Sequence, residues 1–87
     1  MKRIDKDEIY TSFGQRMAEK RGSLGMSQAE VAAKLGISQS YYCYIETGRR
    51  VIDLTLAMNI CKTLSLDFNA FISDYLTPTN KRSSTRR

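Results

Sequence analysis

The chain has 87 residues, of which 41% are apolar and 26% charged, the balance of one small globular domain. Fourteen Lys and Arg against nine Asp and Glu give a net charge of +5, and there is no His, which removes His-based general-base catalysis and His-containing zinc sites. A chain this short closes one helical core without a second lobe to wall a substrate cleft, so no enzyme is expected, and no metal, cofactor or small-molecule ligand.

Five segments carry apolar residues at helical spacing, with turn residues between them. The first is expected over about Asp7 to Arg21, with Ile9, Phe13 and Met17 stacked at i, i+4 and i+8, and with Gly22 and Gly25 ending it. The second opens on Ser27-Gln28-Ala29-Glu30, the pattern of a capping box in which the Ser hydroxyl takes an orphan N–H and the Glu reaches back. Val31, Ala32 and Leu35 form its inner face, Gly36 supplies a positive φ, and Ile37 plugs the turn. Ser38 caps the third helix, which carries Tyr42 and Ile45 inward and stops at Gly48. The fourth follows the N-cap Asp53, with Leu54, Ala57, Ile60, Cys61 and Leu64 as a broad apolar stripe. The fifth follows Asp67, with Phe68, Phe71, Ile72 and Tyr75 on one side. No segment alternates as a strand does, so an all-α domain is expected over residues 1–76.

Beyond it, residues 77–87 contain Lys81, Arg82, Arg86 and Arg87 with no acid and nothing to bury, and read as a disordered basic tail. Residues 1–76 hold ten bases and nine acids, so net charge alone says little about a polyanionic partner. Two cysteines, Cys43 and Cys61, are too few for a disulfide framework and fit a reducing cytoplasm. The start, Met1-Lys2-Arg3-Ile4-Asp5, runs into charge with no apolar signal stretch, and no apolar run approaches a membrane span. A cytoplasmic protein without membrane contact is expected.

The block from Ser27 to Gly48 is the informative one: a capped helix, a short Gly-centred turn, and a second capped helix. In a helix-turn-helix protein the second helix enters the major groove and its N-terminal residues meet base edges. The outward residues of that helix are Gln39, Ser40, Cys43, Tyr44 and Thr47. A Gln amide accepts from adenine N6 and donates to N7, and no acid appears on this helix before Glu46.

Ser27-Gln28-Ala29-Glu30-Val31-Ala32-Ala33-Lys34-Leu35-Gly36-Ile37-Ser38-Gln39-Ser40, followed by Ile45-Glu46-Thr47-Gly48-Arg49-Arg50, resembles the Cro/repressor-type helix-turn-helix regulators of phages and bacteria. The likeness covers roughly residues 13 to 76 and implies a five-helix, lambda-repressor-like domain that binds double-stranded operator DNA as a homodimer. By position it implies base contacts at Gln39, Ser40, Cys43 and Tyr44. Phosphate contacts are implied at Ser27, Gln28 and Ser38, and at Thr47, Arg49 and Arg50 in the segment after the third helix. Arg21 and Glu46 match a buried ion pair joining the first helix to the end of the third. Three features depart from the family: Ile52 replaces a usual proline, Ser65 a usual glycine, and Tyr41-Tyr42-Cys43-Tyr44 is unusually aromatic.

Blander readings apply to several of these residues. Tyr42 pairs with Ile45 at i, i+3 and belongs to the core, Cys61 is a small core hydrophobe, and Tyr41 stays open between stacking and interface. Cys43 has no flanking Lys or Arg to lower its pKa, which argues against a redox role. A dimer contact is expected on the fifth helix, near Phe68, Phe71, Ile72 and Tyr75, although the same residues would serve to cover the core. The function that follows is a transcriptional regulator, a repressor acting by occupying a pseudo-palindromic operator. The competing class is a protein-interaction module or antitoxin-type subunit on the same fold. Such modules lose the polar groups at the starts of helices two and three, which Gln28, Gln39 and Ser40 retain.

Overall fold

The computed structural model describes residues 5–76, so the expected basic tail at 77–87 lies outside the described residues. Five helices follow one another: α1 (Lys6–Ser23), α2 (Gln28–Leu35), α3 (Gln39–Glu46), α4 (Leu54–Leu64) and α5 (Phe68–Leu76). No strand occurs among the described residues. The fold is all-α, as the spacing of apolar residues predicts.

Each helix starts on a side chain that takes up an orphan backbone N–H. Asp5 accepts from Asp7 and Glu8, Ser38 from Tyr41, Asp53 from Leu56 at 2.8 Å, and Asp67 from Ala70 at 3.1 Å. At α2 both halves of the capping box are formed, Glu30 N to Ser27 Oγ at 3.0 Å and Ser27 N to Glu30 Oε1 at 2.7 Å. The first helix is longer than the sequence suggests. It runs through Gly22 to Ser23, whose hydroxyl donates to Lys20 O at 2.8 Å, and the chain turns only at Gly25, at φ +69°.

Four helices end in the same way, with a left-handed residue that lets the next N–H reach back five positions. Met26 N donates to Arg21 O, Ile37 N to Ala32 O, Arg49 N to Tyr44 O and Leu66 N to Cys61 O. The left-handed residue is Gly25, Gly36 or Gly48 in three of them and Ser65, at φ 58°, in the fourth.

The core draws on all five helices: Phe13 and Met17 from α1, Val31 from α2, Tyr42 and Ile45 from α3, Ile60 and Leu64 from α4, and Phe71 from α5. Phe13 packs on Phe71 with ring centroids 5.3 Å apart and edge-on against Phe68 at 6.1 Å, distances at which aromatic pairs attract beyond simple burial. Phe71 is therefore a core residue, and Phe68 and Ile72 pack against it; these three cover the core rather than stand out as a contact patch. The side chain of Tyr75 lies outside the described residues. Leu54, read from sequence as part of the α4 stripe, is instead 64% exposed.

Candidate nucleic-acid interface

Alternation of buried and exposed positions orients α3. Tyr42, Ile45 and Glu46 are buried, whereas Gln39, Ser40 and Tyr44 are exposed and Cys43 is half-buried. The residues singled out for base reading therefore share one open face, and none of them is a core residue. Glu46, the one acid of this helix, points the other way.

Glu46 is the centre of a polar cluster. Arg21 Nε donates to its Oε2 at 2.6 Å and Arg21 Nη2 to its Oε1 at 3.2 Å, a two-pronged contact from α1. Gln28 Nε2, from the first turn of α2, donates to Oε1 at 3.0 Å. Arg21 Nη1 also donates to Met26 O at 3.1 Å, in the segment between α1 and α2. Burial pushes the Glu46 carboxyl up, but the hydrogen bonds from Arg21 and Gln28 outweigh it and hold the group below its ordinary value. The same carboxylate raises the Arg21 guanidinium. Tyr42 is wholly buried beside the pair, and its hydroxyl has no partner at good hydrogen-bonding geometry; burial, then the nearby carboxylate, raises this phenol well above its ordinary value. One cluster thus joins α1, the start of α2 and the end of α3, the parts that must keep register for α3 to be presented.

Both helix starts leave backbone donors open. At α3 the Ser38 hydroxyl takes Tyr41 N at 3.1 Å, so the N–H groups of Gln39 and Ser40, ahead of it, have no partner in the helix. At α2 the same holds for Gln28 and Ala29, ahead of the capped Glu30 N. Unpaired N–H groups at the positive end of a helix favour anions.

The segment after α3 is held from two sides. Gly48, at φ +77°, lies against α1 so closely that a Cβ there would come within 2.9 Å of Thr11 Cα. Arg50 stacks over the Tyr41 ring, 5.3 Å from its centroid, which resolves Tyr41 as a half-buried platform for a cation. Arg49 and Arg50 are both exposed. Thr47 is exposed, but its hydroxyl folds back on the preceding turn, 3.1 Å from Cys43 O and 3.2 Å from Tyr44 O, so its single proton is used there.

Two contributions were not singled out in the sequence. Gly14 lies where a Cβ would overlap the Glu46 carbonyl and come 2.8 Å from Ile45 O, so α1 and the end of α3 meet backbone to backbone. A glycine inside a helical run is the signal that such an approach leaves. The Tyr41–Arg50 stack left no comparable signal, because the two residues are joined only by the turn at Gly48.

No helix among the described residues is long and apolar enough to cross a membrane. No curated protein matches the chain. A family model described as helix-turn-helix matches residues 17–71, a span that takes in the last two turns of α1, all of α2, α3 and α4, and the first part of α5. On this match the chain belongs to the Cro/C1-type helix-turn-helix family of DNA-binding regulators.

Proposed function

We propose that the chain is a sequence-specific transcriptional repressor that occupies a pseudo-palindromic operator as a homodimer, with the start of α3 in the major groove. The observation that carries this reading is the exposed, acid-free face of α3, on which Gln39 and Ser40 precede Tyr44 by about one turn. Gln39 has the amide that pairs with adenine, Ser40 a hydroxyl suited to either strand, and Cys43 and Tyr44 an apolar surface for a thymine methyl. Ser27 and Ser38 each accept a helix N–H through oxygen, which leaves the hydroxyl proton for a phosphate. Gln28 gives one amide hydrogen to Glu46 and has a second for the backbone. Arg49 and Arg50 supply charge from the segment after α3, while Thr47 reaches a phosphate only by turning its hydroxyl out of the helix.

Selection of bound sites from a random duplex library tests the reading. The expected product is an inverted repeat with half-sites about 34 Å apart. On that site Gln39→Ala is expected to cost about 1–3 kcal/mol and to relax preference at one base pair, whereas Arg49→Ala weakens binding to every sequence alike. Equal losses on selected and random DNA would remove Gln39 as a reader. Absence of duplex binding even at low salt, where the non-specific electrostatic attraction is strongest, would favour the protein-interaction module.

A further inference from the structure

Three arginines have side-chain contacts among the described residues, and one is held unlike the others. Arg21 donates from Nε and Nη2 to Glu46 and from Nη1 to Met26 O. Arg16 lies over the Phe71 ring, 5.4 Å from its centroid, but its Nη2 also reaches Asp74 Oδ2 at 2.6 Å. Arg50 lies over the Tyr41 ring at 5.3 Å, and no carboxylate or other acceptor among the described residues engages it. A cation held by the face of a ring uses none of its N–H donors. Arg50 is thus exposed, with its guanidinium placed and its donor edge open.

Both ends of this contact are anchored. Tyr41 is half-buried and packs against the core. Along α3, Tyr42, Ile45 and Glu46 turn inward, and Ser40 and Tyr44 outward. At about 100° per residue, Tyr41 falls between them, on the flank of the reading face away from Gln39. On the other side, Gly48 sits against Thr11 and Arg49 N donates to Tyr44 O at 2.8 Å. The backbone that leads to Arg50 is therefore tied to α1 and to α3.

We infer that Tyr41 is a positioning residue for DNA binding: its ring holds the Arg50 guanidinium beside the reading face, with the N–H edge free for a backbone phosphate. This step rests on the DNA-binding reading proposed above. A guanidinium presents parallel donors that match two phosphate oxygens. Immobilising a long, free side chain opposes binding, and here the ring restrains that side chain before DNA arrives. The gain is in affinity alone, because phosphates carry no sequence. Arg49, exposed and over no ring among the described residues, acts as an unplaced charge.

Duplex binding by the full chain, measured on selected and random sites, tests this, with circular dichroism to check the fold of each variant. Arg50→Ala is expected to weaken both by about tenfold and to lower the slope of log K against log salt by about 0.9. Tyr41→Leu keeps an apolar side chain against the core but removes the ring, and is expected to weaken both by about three- to tenfold. Tyr41→Phe keeps the ring and should stay within about twofold of wild type. In Tyr41→Leu/Arg50→Ala the loss should not exceed that of Arg50→Ala, whereas in Tyr41→Leu/Arg49→Ala the two losses should multiply. In the free wild type, the Arg50 Cδ protons should be shifted upfield by the ring, a readout that needs no variant; their absence from the shielded region would overturn the inference. So would an unchanged Tyr41→Leu, or a Tyr41→Leu loss that persists without Arg50, as a merely structural role requires. A loss in Tyr41→Phe equal to that in Tyr41→Leu would assign DNA contact to the hydroxyl and overturn it too. If the wild type bound selected and random duplexes equally, the sequence-specific reading would fall, while the same Tyr41–Arg50 coupling on random DNA would leave the inference standing. A wild type that bound no duplex would remove both.

Discussion

Gln28 Nε2 donates to Glu46 Oε1 at 3.0 Å, tying the first residue of α2 to the last residue of α3 through the carboxylate that Arg21 also grips at 2.6 Å. The two members of the ion pair are unequally buried: the Glu46 side chain is 5% exposed and that of Arg21 21%. Removing Arg21 strands the more deeply buried charge, whereas removing Glu46 leaves a guanidinium that still donates to Met26 O and reaches some water. Breaking a buried pair from one side costs about 3–5 kcal/mol. Arg21→Met is expected at the upper end of that range and Glu46→Gln at the lower. The double change should cost clearly less than the two single changes together, as read by urea unfolding. Small, additive losses would mean that the pair behaves as a surface contact.

The same carboxylate gives the fold an acid limit. Glu46 is held below its ordinary value of 4.5 in the folded chain, so the folded state binds this proton less readily than the unfolded state does. Its stabilising contribution is complete above about pH 4.5, near the unfolded carboxylate value, and is lost as pH falls through the depressed folded value. Stability measured from pH 6 downward is expected to fall, and Glu46→Gln to flatten part of that fall while lowering stability at neutral pH. An unchanged acid profile in the variant would assign the loss to other carboxylates.

Ser65 closes α4 with the turn for which α1, α2 and α3 use glycine, at φ 58° and exposed to solvent. A side chain in the left-handed region costs roughly 1–2 kcal/mol, part of which glycine returns through the greater freedom of its unfolded chain. Ser65→Gly is expected to stabilise the domain by about 0.5–1 kcal/mol, a rise in Tm of about 2–8 °C. Ser65→Val, β-branched and less tolerant of this conformation, should move Tm the other way.

Much of this architecture was legible because it is written locally. Caps at Ser27, Ser38, Asp53 and Asp67, together with the glycine after α2, set helix starts and stops within a few residues, and helical periodicity set the inward faces. The spacing ends α1 near Arg21, whereas the helix continues to Ser23 because Gly22 is tolerated in a last turn and the left-handed residue that turns the chain, Gly25, comes three positions later. Spacing alone places Leu54 on the apolar stripe of α4, yet at the first position of that helix it is left largely exposed. The open face of α3 followed from period and capping. The support beneath that face did not: the Gly14 contact, the Gln28 bond to Glu46 and the Arg50 stack on Tyr41 all depend on how separate helices meet.

Two glycines of α1 separate close approach from simple flexibility. At Gly14 an added methyl would overlap the Glu46 carbonyl and crowd Ile45 O at 2.8 Å, whereas at Gly22 nothing lies within 4 Å. Both stand within the helix, where alanine is intrinsically better by about 1 kcal/mol. Gly22→Ala is expected to realise most of that gain. Gly14→Ala is expected to be destabilising by about 1–3 kcal/mol, because the obstacle is backbone and α1 must move off the end of α3. Stabilisation at both sites would show that the contact yields at little cost.

Residues 77–87 carry Lys81, Arg82, Arg86 and Arg87 and no acid, leaving ten bases and nine acids in the rest of the chain. On the proposed operator these four bases are expected to reach along the phosphate backbone beside the docked domain. Each phosphate neutralised on duplex DNA changes the slope of log K against log salt by about 0.9. If all four engage, truncation after Leu76 should reduce that slope by about 3–4 per subunit. Phosphates carry no sequence information, so affinity for selected and random duplexes should fall together and their ratio should stay nearly constant. The measurement is a salt titration of both duplexes with the full and the shortened chain. An unaltered slope would mean that the four bases remain solvated when DNA is bound, and a changed ratio would mean that they touch base edges as well as phosphates.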